Sequence, residues 1–162
     1  MSVTDELLEN NKRFAESFSV RAGAPKGPRV AVVACMDARL DPARALGLES
    51  GDAHVIRNAG GVITEDVVRS LVVSQRLLGT EEIVLVHHTD CGMLRFRDDP
   101  VKDEIESETG LRPPFALEAF TDVDGDVRQS IARIRANPFI PERDAVRGFV
   151  YDVETGRLRE VR

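Results

Sequence analysis

The chain has 162 residues, 42% hydrophobic and 31% charged, with 28 acidic against 22 basic side chains and a formal net charge of -6. That length and balance predict one compact globular domain, 1–162, and exclude a disordered chain, a fibre and a pair of domains. No basic run can track a phosphate backbone, no apolar stretch reaches the roughly 20 residues of a membrane-spanning helix, and the N-terminus lacks a basic-then-apolar leader. The expectation is a cytoplasmic protein with no nucleic-acid and no membrane partner.

Thr4 to Phe18 reads as a helix: Thr4 is placed to cap it, Asp5 and Glu6 favour its positive end, and Val3 can staple onto Leu8. Leu7, Phe14 and Phe18 recur at near-helical spacing, and the Gly- and Pro-rich RAGAPKGP follows. Residues 1–20 therefore form a helical arm on a loose joint, free to pack on its own domain or on a partner subunit. Arg29 to Cys35, RVAVVAC, is a β-branched apolar run without polar alternation, the pattern of a strand buried on both faces of a parallel sheet. DPARALGL predicts a helical turn with Pro42 at an early position, and Ala53 to Arg57 a second strand.

After Asn58-Ala59-Gly60-Gly61, Thr64 opens a helix that Gly79 closes, with Val67, Val68, Leu71, Val72, Val73, Leu77 and Leu78 covering more than one face. So broad an apolar surface predicts burial between the sheet and a second body. Glu82 to His87, EIVLVH, is the clearest strand. Residues 95–123 predict a surface excursion, with a short helix near Val101 to Glu108 and a stop at Pro113-Pro114. Asp126 to Ala136 returns to helical spacing, RGFVYDV alternates around Phe149, Tyr151 and Val153, and ETG before RLREV reads as a hairpin turn. Strands alternating with helices predict an α/β fold with a mainly parallel central sheet flanked by helices.

The only two cysteines end in equivalent places, Cys35 at the end of one buried strand and Cys91 just past another, in HHTDCGM. Ligands of open parallel sheets bind beyond the carboxyl ends of the strands, so both thiols approach one crevice. His88, three residues before Cys91, completes a set of two thiolates and one imidazole. Such a set suits tetrahedral zinc with a fourth position left for water. In Cys35-Met36-Asp37-Ala38-Arg39, Asp37 is placed to accept a hydrogen bond from that water, or to take the fourth position itself, and Arg39 to hold Asp37 in a forked ion pair. The residues also admit plainer readings: inert buried thiols, a disulfide, a nucleophilic cysteine, and a merely structural Asp37–Arg39 pair. His87 points to the other side of its strand from His88, and His54 reads as an ordinary strand residue. Asn58-Ala59-Gly60-Gly61 is either only a turn or, at Gly60 and Gly61, a place where backbone amides approach a bound anion.

Together, ACMDARLDP, HVIRNAGG, EDVVRSLVVSQRLLGTEEIVLVHHTDCGM and RGFVYDVETGRL resemble the β-class carbonic anhydrases, in particular their short bacterial and mycobacterial branch. The resemblance implies reversible hydration of carbon dioxide to bicarbonate and a proton by zinc-bound hydroxide, with one Zn2+ per chain on Cys35, His88 and Cys91 and a catalytic pair in Asp37 and Arg39. It further implies a homodimer or a dimer of dimers, with the N-terminal helix packed across the partner. Two alternatives accompany it: hydrolysis of carbonyl sulfide or carbon disulfide at the same zinc, and a non-catalytic zinc or bicarbonate-responsive module in which Asp37 closes the metal permanently.

Overall fold

Five strands, β1 (Val30–Cys35), β2 (Ala53–Asn58), β3 (Glu82–His88), β4 (Val146–Tyr151) and β5 (Leu158–Val161), form one sheet in the order β2-β1-β3-β4-β5. The first four run parallel, and β5 returns antiparallel to β4 through the predicted hairpin. This computed structural model describes residues 2–19 and 27–162. β1 sits in the middle because Ala31 to Ala34 have nothing polar to show to water, and each is fully buried. Alternate residues then feed two cores. Ala31 and Val33 meet Val67, Leu71 and Ile134 on one face, while Val32, Ala34 and Cys35 meet Leu40, Val62, Met93 and Phe120 on the other.

Five helices complete the described chain: α1 (Val3–Ser17), α2 (Pro42–Leu46), α3 (Glu65–Arg76), α4 (Asp98–Thr109) and α5 (Val123–Ala136). α2 starts as expected, with Pro42 in its first turn and Asp41 accepting the Arg44 N–H. α3 has the predicted Thr64 cap but ends at Arg76, with Leu77 as its C-cap, three residues before Gly79. Its breadth is only half used here: Val67 and Leu71 are buried, whereas Leu77 and Leu78 are exposed.

Four boundaries differ from expectation, each for a local reason. α1 is capped by Ser2, not Thr4: Ser2 Oγ accepts the Asp5 N–H and the Asp5 carboxylate accepts the Ser2 N–H. Thr4 would place Leu7 where this reciprocal box needs a carboxylate. None of α1 is buried, and residues 21–26 of the expected RAGAPKGP joint lie outside the described residues. α4 begins at Asp98 rather than near Val101, because Asp98, Asp99 and Pro100 are good first-turn residues despite lacking apolar spacing. α5 begins three residues early, where the Asp122 carboxylate accepts the Asp124 and Gly125 N–H groups. On β4 the fully buried set is Val146, Gly148 and Val150, not the aromatic set around Phe149, and Val153 lies beyond the strand. The cause is α5, which presses so close that a Cβ on Gly148 would lie 2.3 Å from Val127 Cγ1.

Candidate metal centre

β1 and β3 are neighbours in parallel register, with Ala34 beside Val86, so their carboxyl ends emerge together. β1 ends on Cys35 and β3 on His88, and Cys91 follows three residues later, just before the short turn Gly92–Leu94. Their ligand atoms, two Sγ and an imidazole nitrogen, all lie within 4.8 Å of one another, and all three residues are buried. The sequence-predicted set is thus brought to one point.

The imidazole is aimed. His88 Nδ1 lies 2.8 Å from the Thr89 carbonyl oxygen, so Nδ1–H donates there and Nε2 carries the lone pair. Nε2 is buried without a hydrogen-bond partner. The two sulfurs stand 4.0 Å apart, and a tetrahedral ion about 2.3 Å from each would separate them by about 3.8 Å. An orphaned nitrogen facing two sulfurs at that spacing fits a metal ion.

Electrostatics point the same way. The Cys35 thiol is held down to about 4, chiefly by the Cys91 S–H, with help from the Asp37 and Gly60 backbone N–H groups against the cost of burial. The resulting Cys35 thiolate, together with burial, pushes the Cys91 thiol up. The pair therefore shares one proton, which a cation at the same place displaces.

Asp37 and Arg39 are joined as the sequence predicts. Arg39 Nε donates to Asp37 Oδ1 at 3.0 Å and Arg39 Nη2 to Asp37 Oδ2 at 2.9 Å, and the Arg39 backbone N–H also reaches Oδ1. These bonds hold the Asp37 carboxyl well below the usual carboxylate range. Asp37 Oδ2 is also only 3.7 Å from His88 Nε2, so the carboxylate borders the metal position while it stays on the arginine.

Gly60 and Gly61 form a buried turn against β1, and Gly61 has φ +71. A Cβ on Gly61 would lie 2.9 Å from the Cys35 nitrogen, so only glycine lets the turn press on the strand that carries the ligand. The plain-turn reading thus has a specific content, and the Gly60 N–H serves the Cys35 sulfur. His87 lies on the other side of β3, as expected, where its Nε2 is 2.6 Å from Asp126 Oδ2. His54 is more than an ordinary strand residue: its Nδ1 is 2.8 Å from Ser74 Oγ, tying β2 to α3.

Two residues escaped the sequence reading. Arg57 donates to the carbonyl oxygens of Cys35, Asp37 and Leu40, clamping the loop that carries Asp37. Asp90, between the ligands His88 and Cys91, accepts from Arg39 through both its carboxylate and its carbonyl. Each is ordinary by residue type. The only available signal was position, next to NAGG for Arg57 and inside the ligand spacing for Asp90.

A thiolate-imidazole set seated beyond the carboxyl ends of a parallel sheet defines a metal-binding α/β protein. The family model for carbonic anhydrase matches residues 30–112, a span that contains every residue of the site. Over 161 residues, and 99% of both chains, the sequence is 56% identical to β-carbonic anhydrase 1 of Mycobacterium tuberculosis. It is also 36% identical to a carbon disulfide hydrolase of Acidithiobacillus thiooxidans, covering 98% of this chain and 90% of that one. The crystal structure of a carbonic anhydrase from Streptococcus mutans superposes with a TM-score of 0.91 at 44% identity, over 100% of this chain and 99% of that one. The chain belongs to the β-carbonic anhydrase family.

Proposed function

We propose that this chain catalyses the reversible hydration of carbon dioxide to bicarbonate and a proton, with one zinc ion per chain held by Cys35, His88 and Cys91. The observation that carries the proposal is the buried triad with the Asp37 carboxylate at its edge, 3.7 Å from His88 Nε2. Zinc in that set supplies the Lewis acidity that brings the ionisation of a water molecule towards neutral pH. Asp37 is the acceptor fixed beside it. A carboxylate gripped by Arg39 accepts the water's hydrogen bond and so turns an oxygen lone pair towards the carbon of the substrate. Met93 and Phe120, packed with Cys35 and Cys91 in one apolar cluster, suit a small nonpolar substrate. Gly60 and Gly61 add a side-chain-free wall there and are the proposed substrate-side backbone.

Asp37 has a second possible place, the fourth position on the metal, which its short distance to His88 makes accessible. The same family reading gives a homodimer or a dimer of dimers, supported by α1, whose Leu7, Leu8, Phe14 and Phe18 are all exposed. Among the described residues no helix is long and apolar enough to cross a membrane. A cytoplasmic setting suits a site whose two thiols must stay reduced.

The test is stopped-flow carbon dioxide hydration from about pH 6.5 to about 9 on protein of measured zinc content. Activity rising with pH at one zinc per chain is the expected result. A zinc-loaded sample inactive throughout that range overturns the proposal and directs attention to carbonyl sulfide and carbon disulfide, the latter named for the Acidithiobacillus relative.

A further inference from the structure

Arg39 is a long, half-exposed side chain, and a single forked pair with Asp37 leaves the whole assembly free to swing on the arginine stem. It does not swing freely, because its far end is anchored. Arg39 Nη1 donates to Asp90 Oδ2 at 2.9 Å and Arg39 Nη2 to the Asp90 carbonyl at 3.1 Å. Asp90 Oδ1 in turn accepts from Arg95 Nη2 at 2.5 Å. Asp90 itself has φ +53, a left-handed conformation in which aspartate is one of the few side chains at ease. That conformation lies within the two-residue link from His88 to Cys91, so the anchor is built into the metal-ligand loop.

We infer that Asp90 is a positioning residue: by holding Arg39 at a second point, it keeps Asp37 on the arginine and off the metal. The two grips do not compete for the same hydrogens. Asp37 is met by Arg39 Nε and Nη2, and Asp90 by Nη1 and the remaining Nη2 hydrogen. Charge sharing works in the opposite sense, since a second carboxylate weakens the pull of Arg39 on Asp37. At this half-exposed position solvent screens that effect, while the freedom of an unanchored arginine is not screened. Anchoring therefore wins. The inference rests on the metal-site reading above, yet not on turnover.

Azide is a suitable probe, because its infrared stretch shifts when it ligates zinc at an open fourth position. Zinc-loaded protein, Asp90→Asn, Asp37→Asn and the double variant are titrated with azide at one alkaline pH, and zinc per chain is measured in each. Asparagine tolerates the left-handed backbone and has nearly the same shape, so Asp90→Asn removes the charge and leaves one acceptor oxygen where the carboxylate serves Arg39 and Arg95 with two. The expected result is roughly tenfold weaker azide binding in Asp90→Asn, as Asp37 takes the fourth position, because Arg39 then has a hydrogen bond to an uncharged side chain where it had an ion pair. In the Asp37→Asn background the same change has no effect, and zinc content is equal throughout.

Equal weakening in both backgrounds overturns the inference, because Asp90 then acts on the loop itself. So does tighter azide binding in Asp90→Asn, which would show charge sharing to dominate, or loss of zinc from that variant. A shifted azide band absent from the zinc-loaded parent also overturns it, since Asp37 would then occupy the metal with Asp90 in place. An intact azide pattern without carbon dioxide hydration overturns the proposed function and leaves Asp90 in its role.

Discussion

Cys91 and Asp37 lie within one small volume but answer to different forces, and substitution separates them. Cys91→Ser replaces a sulfur by a poor ligand in a buried triad, and the expected outcome is loss of bound zinc together with activity, read by metal analysis. Asp37→Ala removes a carboxylate that stands beside the triad on Arg39, so zinc stays at one per chain while hydration falls by about 10²-fold or more. Unchanged turnover in that variant would remove Asp37 from the mechanism. Gly61→Ala tests the packing beneath them. Its Cβ would meet the Cys35 nitrogen at 2.9 Å in a backbone with φ +71, so the variant should lose roughly 1–3 kcal/mol in urea unfolding and bind zinc less tightly. A glycine in NAGG announced a turn, but the strand it presses against is visible only in three dimensions.

A helix start was readable where one cap stood alone, as at Thr64 before α3, but not where two caps competed, as Ser2 and Thr4 do before α1, or where a hydrophobic pattern stood in for the cap, as before α5. α4 illustrates the limit. None of its residues is buried, so no apolar periodicity marks its start, yet its first residue organises the segment that follows. The Asp98 carboxylate accepts the N–H groups of Leu117, Glu118 and Ala119 at 2.7, 3.2 and 3.0 Å. Partial burial raises its pKa, but those three donors outweigh that cost and leave it lowered. Asp98 thus stays ionised to a lower pH folded than unfolded. Its stabilisation is complete above the unfolded value near pH 4 and disappears as pH falls through the lower folded value. Asp98→Asn should therefore lower the melting temperature at pH 7 by roughly 2–4 °C per kcal/mol lost, with the gap from the parent narrowing towards about pH 2. A gap independent of pH would show that the carboxylate's charge is not what holds residues 117–119.

At the level of the whole molecule, α1 is the element whose packing the single chain leaves open. It has a well-formed cap and a stripe of Leu7, Leu8, Phe14 and Phe18, and nothing in the described chain buries any of it. A dimer that covers this stripe predicts that Leu7→Glu with Phe14→Glu shifts the light-scattering mass towards the monomer, while a stripe serving no assembly leaves the mass unchanged. Leu77 and Leu78, exposed at the end of α3, offer a second apolar surface to the same kind of partner.

By itself the sequence determined the parallel sheet, the Cys35-His88-Cys91 triad and the Asp37–Arg39 pair. A strand buried on both faces must be apolar throughout, and metal chemistry restricts the donors to a few residue types at short spacing. Tertiary structure alone decided what surrounds them. Arg57 reaches three carbonyls from β2, Asp126 meets His87 from α5, and Asp90 meets Arg39 across 51 residues of chain. Arginine and aspartate are common surface residues whose partners are set by where distant elements pack. No periodicity or local propensity records such a meeting.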